Sequence, residues 1–255
     1  MNDRRVAVVT GASSGIGAEL ARALAKRGWL CVLLARREER LRPLAEETGG
    51  EFELCDVSER TEVETVAAHV LERHPAIHLL ANNAGIPARA SFLDGDPQAI
   101  EDVIRTNYLG GVWCLRAFLP GLERGAPSDV VNVVSVAGSV AVPQSGPYSA
   151  SKHAQLAFSR ATAASLRGRG IRVHTVKPGY VETEGFPQGR LPAPVRRIVL
   201  EPEAIAAHIL ASLDKHRGET TVPWFYAPAG GLQALIPNVF ASVLARSGRR
   251  TRIVS

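Results

Sequence analysis

Seven short apolar runs recur along the chain, and most of the intervals between them are long enough to hold a helix. Near-continuous apolar strands are typical of a sheet buried on both faces, and crossover helices make neighbouring strands parallel. The pattern predicts an α/β fold with a doubly wound, Rossmann-type, mostly parallel seven-stranded sheet and helices on both faces. The predicted strands are Val6–Thr10, Leu30–Ala35, Phe52–Cys55, Ile77–Ala81, Val130–Val136, Ile171–Val176 and Thr221–Tyr226. The predicted helices run from Gly15 to just before Gly28 and over Arg37–Thr48, Glu59–Arg73, Pro97–Leu119, Gly146–Arg167 and Pro202–His216.

The length of the chain suits a single hydrophobic core, and no repeat or linker marks a second domain. We expect a single domain over residues 1–255. Within it, residues 184–200 are predicted to form a substrate lid, and residues 229–255 a C-terminal amphipathic helix with a basic tail. No signal peptide and no run of about 18 apolar residues is found, which predicts a cytoplasmic protein.

The cysteines, histidines and charges argue against several classes of function. The three cysteines are scattered, which predicts core packing in a reducing compartment, and the seven histidines lack metal-ligand spacing. We therefore expect no metal. The net charge of +5 is concentrated at the end of the chain, so a nucleic-acid partner is not expected either. The last ten residues contain no acid and four arginines, Arg246, Arg249, Arg250 and Arg252.

A glycine-rich turn lies between the first predicted strand and the first predicted helix. Gly11 permits a tight turn, Gly15 lets the backbone approach a pyrophosphate, and Gly17 lets the helix pack closely on the strand. The free N–H groups at the start of the helix would bind the phosphates. The alternative is a purely structural turn. The predicted cofactor contacts in this turn are Gly11, Ser13, Ser14, Gly15, Ile16 and Gly17.

The end of the second strand indicates which dinucleotide binds. In an NAD site an acidic residue there binds the ribose 2′-hydroxyl, but this strand ends in Arg36 and Arg37, with no carboxylate before Glu38. A guanidinium suits a 2′-phosphate, so NADP is favoured over NAD, with Arg36 as the first contact and Arg37 as the second. The alternative is that both arginines simply begin a solvated helix.

The third and fourth strands end in further candidate contacts. Asp56 follows the third strand with Val57, where a carboxylate can accept a hydrogen bond from the adenine amino group. Asp56 could equally cap the next helix. Asn82-Asn83-Ala84-Gly85 closes the fourth strand at the carboxyl edge of the sheet, where ligands of open α/β folds bind. An ordinary Asn/Gly turn is the alternative there; the predicted contacts are Asn83, Ala84 and Gly85.

Tyr148 and Lys152 stand one helical turn apart, and Ser135 ends the preceding predicted strand. A tyrosine with a pKa near ~10 is a poor base at neutral pH, but an adjacent ammonium favours the phenolate. Lys152 would also bind the ribose hydroxyls, and Ser135 would hydrogen-bond the substrate oxygen. The trio therefore predicts proton transfer to or from a carbonyl or alcohol oxygen.

Asn107 lies inside a predicted helix, where asparagine is disfavoured. It indicates either a bend whose backbone carbonyl binds a water leading to Lys152, or a solvent-facing polar residue.

At these residues the chain resembles a short-chain dehydrogenase/reductase of the compact, single-domain branch, from about Arg5 to Thr183. The resemblance implies that residues 10–17 bind the cofactor and that residues 82–85 support the sheet and the adenosine side. The Arg36 position matches the NADP-preferring members, whereas Ser14 stands where many of them carry a second basic residue. The resemblance also implies catalytic roles for Asn107, Ser135, Tyr148 and Lys152, with nicotinamide contacts from Pro178, Gly179, Val181 and Thr183.

Beyond Thr183 the motifs stop. A stripe of apolar residues near the end of the chain predicts a helix interrupted by Pro237, which packs on the body, covers the substrate mouth, forms a subunit contact or attaches to an anionic membrane. The stripe comprises Leu232, Leu235, Ile236, Val239, Phe240, Val243 and Leu244. Candidate residues of an apolar substrate pocket are Val140, Val142, Gln144, Phe186, Trp224 and Phe225.

Together these features predict an NADP-dependent oxidoreductase that interconverts a ketone or aldehyde and an alcohol, with Tyr148 as the general acid/base. A lipophilic substrate and a homodimer or homotetramer are expected. One alternative is a catalytically silent NADP-sensing protein of the same fold, which would have been free to lose Tyr148 or Lys152. Another is a nucleotide-sugar epimerase or dehydratase, for which the segment after Thr183 is short.

Overall fold

The computed structural model describes residues 4–88, 91–141, 145–188 and 196–243. Its strands form a single all-parallel sheet of seven strands in the order β3-β2-β1-β4-β5-β6-β7, which confirms the predicted doubly wound architecture. The strands are β1 (Val6–Thr10), β2 (Leu30–Ala35), β3 (Glu51–Leu54), β4 (Leu79–Asn82), β5 (Ser128–Val133), β6 (Ile171–Pro178) and β7 (Glu219–Val222).

The central strands explain the apolar runs. All residues of β1, β2, β4 and β5 are buried, because helices cover both faces of the sheet. Val8 of β1 pairs with Val32 of β2 on one side and Leu80 of β4 on the other. The strand order reverses at β1 and β4, so a crevice for a ligand opens at their carboxyl ends.

Two helical layers enclose the sheet. One core cluster joins α1, α2 and α7 to one face, and the other joins α3, α5 and the end of α6 to the opposite face. All three cysteines are buried, as predicted for core packing. The helices are α1 (Gly15–Ala25), α2 (Glu38–Thr48), α3 (Arg60–Arg73), α4 (Pro97–Ile104), α5 (Gly110–Arg124), α6 (Gly146–Leu166), α7 (Pro202–Asp214) and α8 (Ala227–Leu235).

Some predicted boundaries were wrong. The helix predicted over Pro97–Leu119 contains a π-helical turn at Arg105–Leu109 and continues through Pro120 to Arg124. Burial of Phe118 and Leu122 in this last stretch outweighs the hydrogen bond that the proline lacks. Strand β5 ends at Val133 rather than at residue 136. The predicted seventh strand begins earlier and stops at Val222, where Pro223 cannot donate a ladder hydrogen bond, and Trp224–Tyr226 form a 3₁₀ helix.

The C-terminal stripe is helical but does not pack into the core. Helix α8 ends at Leu235, Ile236 breaks the helix, and residues 237–243 are helical again, as Pro237 predicted. None of the residues 227–243 is buried, so the described part of the stripe adds nothing to the core, and its packing on the body, the substrate mouth, a partner subunit or a membrane stays a prediction. Leu244 and the four terminal arginines lie outside the described residues. Within the described ranges, no helix combines the length and apolar character required to cross a bilayer.

Candidate active site

The glycine turn has the close contacts that its sequence predicts. Gly11 and Gly15 have positive φ angles of 65° and 55°. A Cβ atom at Gly17 would lie 2.4 Å from the Gly11 carbonyl oxygen, so no larger side chain fits between α1 and the turn. The Asn83 side-chain amide donates hydrogen bonds to the carbonyl oxygens of Thr10 (3.0 Å) and Gly11 (3.3 Å). The Asn83 side chain therefore fixes the backbone of the turn. Helix α1 begins within this turn, and its first N–H groups have no partner inside the helix.

Arg37 reaches the glycine turn from the end of β2. Its guanidinium donates to the hydroxyl oxygen of Ser13 from Nη2 (3.0 Å) and Nε (3.3 Å), and to that of Ser14 from Nη2 (3.0 Å). A positive charge therefore lies beside Ser14, where the sequence lacks the second basic residue of many NADP binders. Arg36 instead pairs with Asp56, with 3.2 Å between Nη1 and Oδ2. From the sequence, Arg36 was the first predicted contact for a 2′-phosphate and Arg37 the second. Only the fold shows that the Arg37 side chain reaches Ser13 and Ser14.

The chain beyond β6 approaches the same arginine. Both carboxylate oxygens of Glu184 lie 3.2 Å from Arg37 Nη1, and one lies 3.6 Å from Arg40 Nη2. Sequence reasoning did not identify Glu184, because nothing in the local pattern shows that it lies against β2. A carboxylate thus shares the arginine that faces Ser13 and Ser14.

Asp56 is ordered by a local turn. One carboxylate oxygen accepts from the Ser58 backbone N–H (2.9 Å) and hydroxyl (2.7 Å). The residue at the start of α3 is Glu59, so the alternative that Asp56 caps this helix was wrong. Val57 is buried, and a Cβ atom at Gly110 would lie 2.8 Å from its side chain. The pair is thus fixed at the carboxyl end of β3, where the adenine contact was predicted.

Ser135, Tyr148 and Lys152 converge at the carboxyl edge of the sheet. Ser135 lies two residues beyond the end of β5, rather than within it as predicted, and caps a short 3₁₀ helix by accepting from the Ala137 N–H (3.1 Å). Tyr148 is in the first turn of α6, and Lys152 lies one turn further along. The ammonium nitrogen of Lys152 is 5.8 Å from the centre of the Tyr148 ring.

Burial controls the ionisation of both groups. Burial raises the pKa of Tyr148 to about 12, partly opposed by its hydrogen bond with Ser135. Burial also lowers the pKa of Lys152 to about 7. We had expected Lys152 to lower the pKa of Tyr148. Among the protein groups, however, loss of solvent is the larger effect.

Lys152 is held by acceptors on both sides. Its ammonium donates to the Val133 carbonyl oxygen (3.1 Å) and to the side-chain oxygen of Gln155 (2.8 Å), and its side chain is almost fully buried. Gln155 is also buried and was missed by sequence reasoning. The available signal was a glutamine on the buried face of α6, three residues after Lys152.

Asn107 lies in the π-helical turn between α4 and α5 and is buried, so the solvent-facing alternative was wrong. Its side-chain oxygen accepts from the Ile86 N–H (2.8 Å), while its amide donates to the Ile86 carbonyl (3.0 Å) and the Ser151 hydroxyl (3.1 Å). A Cβ atom at Gly85 would lie 3.2 Å from Asn107 Oδ1 and 3.7 Å from Lys152 Nζ. Gly85 therefore lies directly over both side chains.

The segment after β6 borders the glycine turn. Ser135 Oγ lies 3.5 Å from the Pro178 carbonyl oxygen, and the Gly179 N–H donates to Val222 (2.7 Å). The side chain of Val181 is buried in the core, so only its backbone is available to a ligand. A Cβ atom at Gly15 would lie 2.9 Å from the Thr183 side chain. Thr183 is therefore placed against the predicted cofactor turn.

The candidate pocket residues are divided. Phe186 lies beside Tyr148, with 5.5 Å between the two ring centres. Val140 is buried, whereas Trp224 is 78% exposed. Phe225 is 45% exposed. Val142 and Gln144 lie outside the described residues, as do residues 189–195 of the predicted lid. Among the residues that the structure describes, no cluster of His, Cys, Asp or Glu could hold a metal ion.

The sequence is similar to those of known proteins. The family model described as short chain dehydrogenase matches residues 5–190. A Streptomyces coelicolor protein named "Putative ketoacyl reductase" is 40% identical over 189 residues, covering 71% of this chain and 72% of the relative. A farnesol dehydrogenase of Aedes aegypti is 36% identical over 218 residues, covering 81% of this chain and 88% of the relative.

A solved structure extends the likeness over almost the whole chain. The short chain dehydrogenase from Burkholderia cenocepacia J2315 in complex with NADP has a TM-score of 0.82 and 28% identity, covering 96% of this chain and 98% of that one. The family model also spans the glycine turn and the Ser135, Tyr148 and Lys152 group. The chain therefore belongs to the short-chain dehydrogenase/reductase family of oxidoreductases.

Proposed function

We propose that the protein is an NADP-dependent oxidoreductase that interconverts a ketone or aldehyde and an alcohol. The observation that carries this proposal is the convergence of Ser135, Tyr148 and Lys152 at the carboxyl edge of the sheet. The named activities of the Streptomyces and Aedes relatives concern a ketone and an alcohol, respectively.

The residues around the glycine turn fit NADP rather than NAD. Arg37 forms a cationic, hydrogen-bonding cradle with the hydroxyls of Ser13 and Ser14. Arg36 lies on the other side of the same strand end. The Burkholderia structure was solved with NADP, which supports the assignment. The remaining contacts would come from Ile16, Asp56, Val57, Ala84, Gly85, Pro178, Gly179, Val181 and Thr183.

When bound, NADPH supplies the hydride, and the protein handles the proton. Tyr148 gives a proton to the substrate oxygen during reduction and takes it back during oxidation. The Ser135 hydroxyl orients that oxygen and stabilises the negative charge that develops on it. Lys152 favours the phenolate of Tyr148 when it is charged and binds the cofactor ribose, while Asn107 holds the water through which the proton returns to solvent.

The test combines cofactor binding with turnover. We would measure dissociation constants of NADPH and NADH for the wild type, Arg36→Asp, Arg37→Asp and Arg42→Asp. NADPH should bind more tightly than NADH in the wild type, and each of the first two changes should weaken it by about 10- to 100-fold. Arg42→Asp, on the exposed face of α2, makes the same change in charge and should have little effect. Equal affinity for both cofactors in the wild type would overturn the NADP assignment.

Turnover distinguishes the enzyme from the silent alternative. Tyr148→Phe should retain NADPH binding and lose about 10²- to 10⁴-fold in ketone reduction. NADPH binding without turnover by the wild type on a panel of ketones and aldehydes would favour a cofactor-sensing protein. Product formation with no net change in the cofactor would instead indicate an epimerase.

We infer that the substrate is lipophilic, because two phenylalanine side chains lie next to Tyr148 and to the start of its helix. Phe186 contacts its ring, and a Cβ atom at Gly146 would lie 2.7 Å from Phe92, which is itself 57% exposed. Helix α8 contacts the segment that precedes α6, since the side chain of Gln233 hydrogen-bonds the Ala141 backbone through both its oxygen and its nitrogen. A ketone series of increasing chain length should show kcat/KM rising with length; a preference for small polar ketones would contradict this inference.

Peripheral attachment to an anionic membrane is the second candidate function of the C-terminal region. Residues 220–245 contain no Asp, Glu, Lys or Arg, which is unusual for exposed helix, and four arginines follow. Leu235 is 81% exposed and Val239 58%. Such an apolar stripe next to basic residues suits insertion between anionic head groups. The protein would then be cytoplasmic and bound to the membrane surface.

Vesicle flotation tests this second function. The full chain should float with vesicles containing phosphatidylglycerol, whereas a chain ending at Tyr226 and the variant Leu235→Asp should not. Leu54→Asp is the matched control, since Leu54 is 47% exposed on the distant strand β3. Equal flotation of all four proteins would rule out attachment through this region. If Leu235→Asp instead dissociates a homodimer or homotetramer in solution, the stripe is a subunit contact.

A further inference from the structure

Gln155 is a buried polar side chain next to the reacting groups to which the family pattern gives no role. It lies on α6, less than one turn beyond Lys152, and only 2% of it is exposed. Its side-chain oxygen accepts from the Lys152 ammonium at 2.8 Å. A buried glutamine at this position therefore contacts the lysine directly.

The ammonium of Lys152 depends on the acceptors around it. An ammonium carries three donors, and the described residues supply two acceptors, the Val133 carbonyl and the Gln155 amide. Taking a charged lysine out of water favours its neutral form unless polar groups compensate. These two oxygens compensate, and they leave the third N–H for a ligand.

We propose that Gln155 is a positioning residue that keeps Lys152 charged and directs its ammonium toward the cofactor ribose. This inference rests on the proposed function. Val133 supplies a backbone oxygen that substitution cannot remove, so Gln155 is the adjustable member of the pair. Its effect on the reaction passes through Lys152, because its oxygen is occupied by the ammonium.

Other ionisable groups near α6 have different partners. Tyr148, on the same helix, has its ring centre 5.8 Å from the ammonium nitrogen. His153, also on α6, has its Nδ1 2.8 Å from the Ser149 carbonyl oxygen. Groups on the elements packed against α6 are exposed or paired elsewhere: Glu101 and Asp102 on α4, Arg105 and Tyr108 in the π-helical turn, and Arg172, His174 and Lys177 on β6.

The test reads the protonation of Lys152 directly. The chain has only four lysines, so NMR with ¹³Cε-labelled lysine follows each one through a pH titration, and Lys152→Met assigns the signal. In the wild type Lys152 should titrate near 7. Gln155→Met, which removes the acceptor at similar length, should lower this midpoint by about one pH unit, and Gln155→Glu should raise it by about one or more.

Opposite shifts at one position are the signature of an electrostatic contact, since a merely structural role predicts no change of sign. Gln233→Glu, on exposed α8, adds the same charge and should leave the midpoint unchanged. NADPH affinity at pH 8 should fall several-fold in Gln155→Met. If both Gln155 variants remain folded and Lys152 titrates as in the wild type, the proposal is wrong, even if NADPH binds and ketones are reduced. If NADPH does not bind at all, the titration still tests the Gln155 contact.

Discussion

At the scale of single residues, the site depends on atoms that approach more closely than ordinary side chains permit. Gly17 faces the Gly11 carbonyl, and Gly85 covers Asn107 and Lys152. The polar contacts are equally specific, since Arg37 uses three of its nitrogens on Ser13, Ser14 and Glu184. Single substitutions should therefore distinguish the effect of close packing on the site from the effect of its charges.

Gly17→Ala tests shape. The added Cβ would lie 2.4 Å from a backbone oxygen and 2.6 Å from Asn83 Nδ2, so α1 must shift away from the turn. We expect the free energy of unfolding to fall by about 2–3 kcal/mol, with weaker NADPH binding. Gly168→Ala meets no atom within 4 Å and should change stability by less than about 0.5 kcal/mol. Urea unfolding of both variants measures the difference; similar values would contradict the close packing.

Glu184→Gln tests charge. Glu184 shares Arg37 and Arg40 with any phosphate bound beside Ser13, and two anions at one guanidinium repel each other. Its neutralisation should tighten NADPH binding by about two- to fivefold and leave NADH binding unchanged, since exposed pairs contribute little. Glu72→Gln, exposed on α3, provides the charge control. Weaker NADPH binding by Glu184→Gln would instead mean that Glu184 orients Arg37 for the phosphate.

At the scale of elements, the edge strand β7 is attached to the sheet by charge as well as by its ladder. Glu219 accepts from Arg160 Nε (2.8 Å) and Nη2 (2.9 Å) on α6, and from Lys177 on β6 (2.7 Å). The hydrogen bonds from Arg160, with those from Lys177, lower the pKa of Glu219 to about 2. Lys177 is 8% exposed, so removal of its partner leaves a buried charge unpaired.

Glu219→Gln should therefore destabilise the protein by about 1–3 kcal/mol at neutral pH. Folding lowers the pKa of Glu219, so its carboxylate stabilises the protein fully at pH values above 4.5, the ordinary pKa of a glutamate. This stabilisation disappears as the pH falls toward 2. The free energies of unfolding of the wild type and of Glu219→Gln should therefore converge as the pH falls from 4.5 to 2. Glu64→Gln, which breaks an exposed pair on α3, should cost about 0.3–0.5 kcal/mol. A difference that persists at pH 2 would contradict the assignment to ionised Glu219.

The same scale shows what sequence could predict. Strand runs and the glycine turn follow local patterns, so the sheet, its helices and the places of Tyr148 and Lys152 were predicted correctly. The contacts of Arg37, Glu184 and Gln155 depend on which distant segments meet, and no local pattern records that. The only sequence sign of the π-helical turn was an asparagine, Asn107, in the interior of a predicted helix. The exposure of α8 could not be predicted, because it depends on whether another part of the described structure covers the helix.

At the scale of the whole molecule, the C-terminal segment is nearly separate from the folded body. Its described contacts with the body include the two hydrogen bonds between Gln233 and Ala141 and the close approach of Gly230 to Ser139. The ring of Tyr226 packs over Gly179, where a Cβ atom would lie 2.5 Å away. The integral part of the fold therefore extends to Tyr226 and little further.

A chain ending at Tyr226 should fold and bind NADPH with the affinity of the full chain. The loss of two exposed hydrogen bonds costs about 1 kcal/mol, so the melting temperature should fall by no more than about 4 °C. Differential scanning calorimetry of both chains checks this expectation. A decrease well beyond about 10 °C would mean that the segment contributes to the core after all.

This loose attachment has a consequence for how such enzymes diversify. Because none of the residues 227–243 is buried, their sequence can change without disturbing the site around Tyr148 and Lys152. If the stripe attaches the enzyme to a membrane as proposed, substitutions there would alter where in the cell the enzyme works, while its chemistry stays the same. Related enzymes could thus keep the same catalytic domain and differ only in the C-terminal segment that determines their location in the cell.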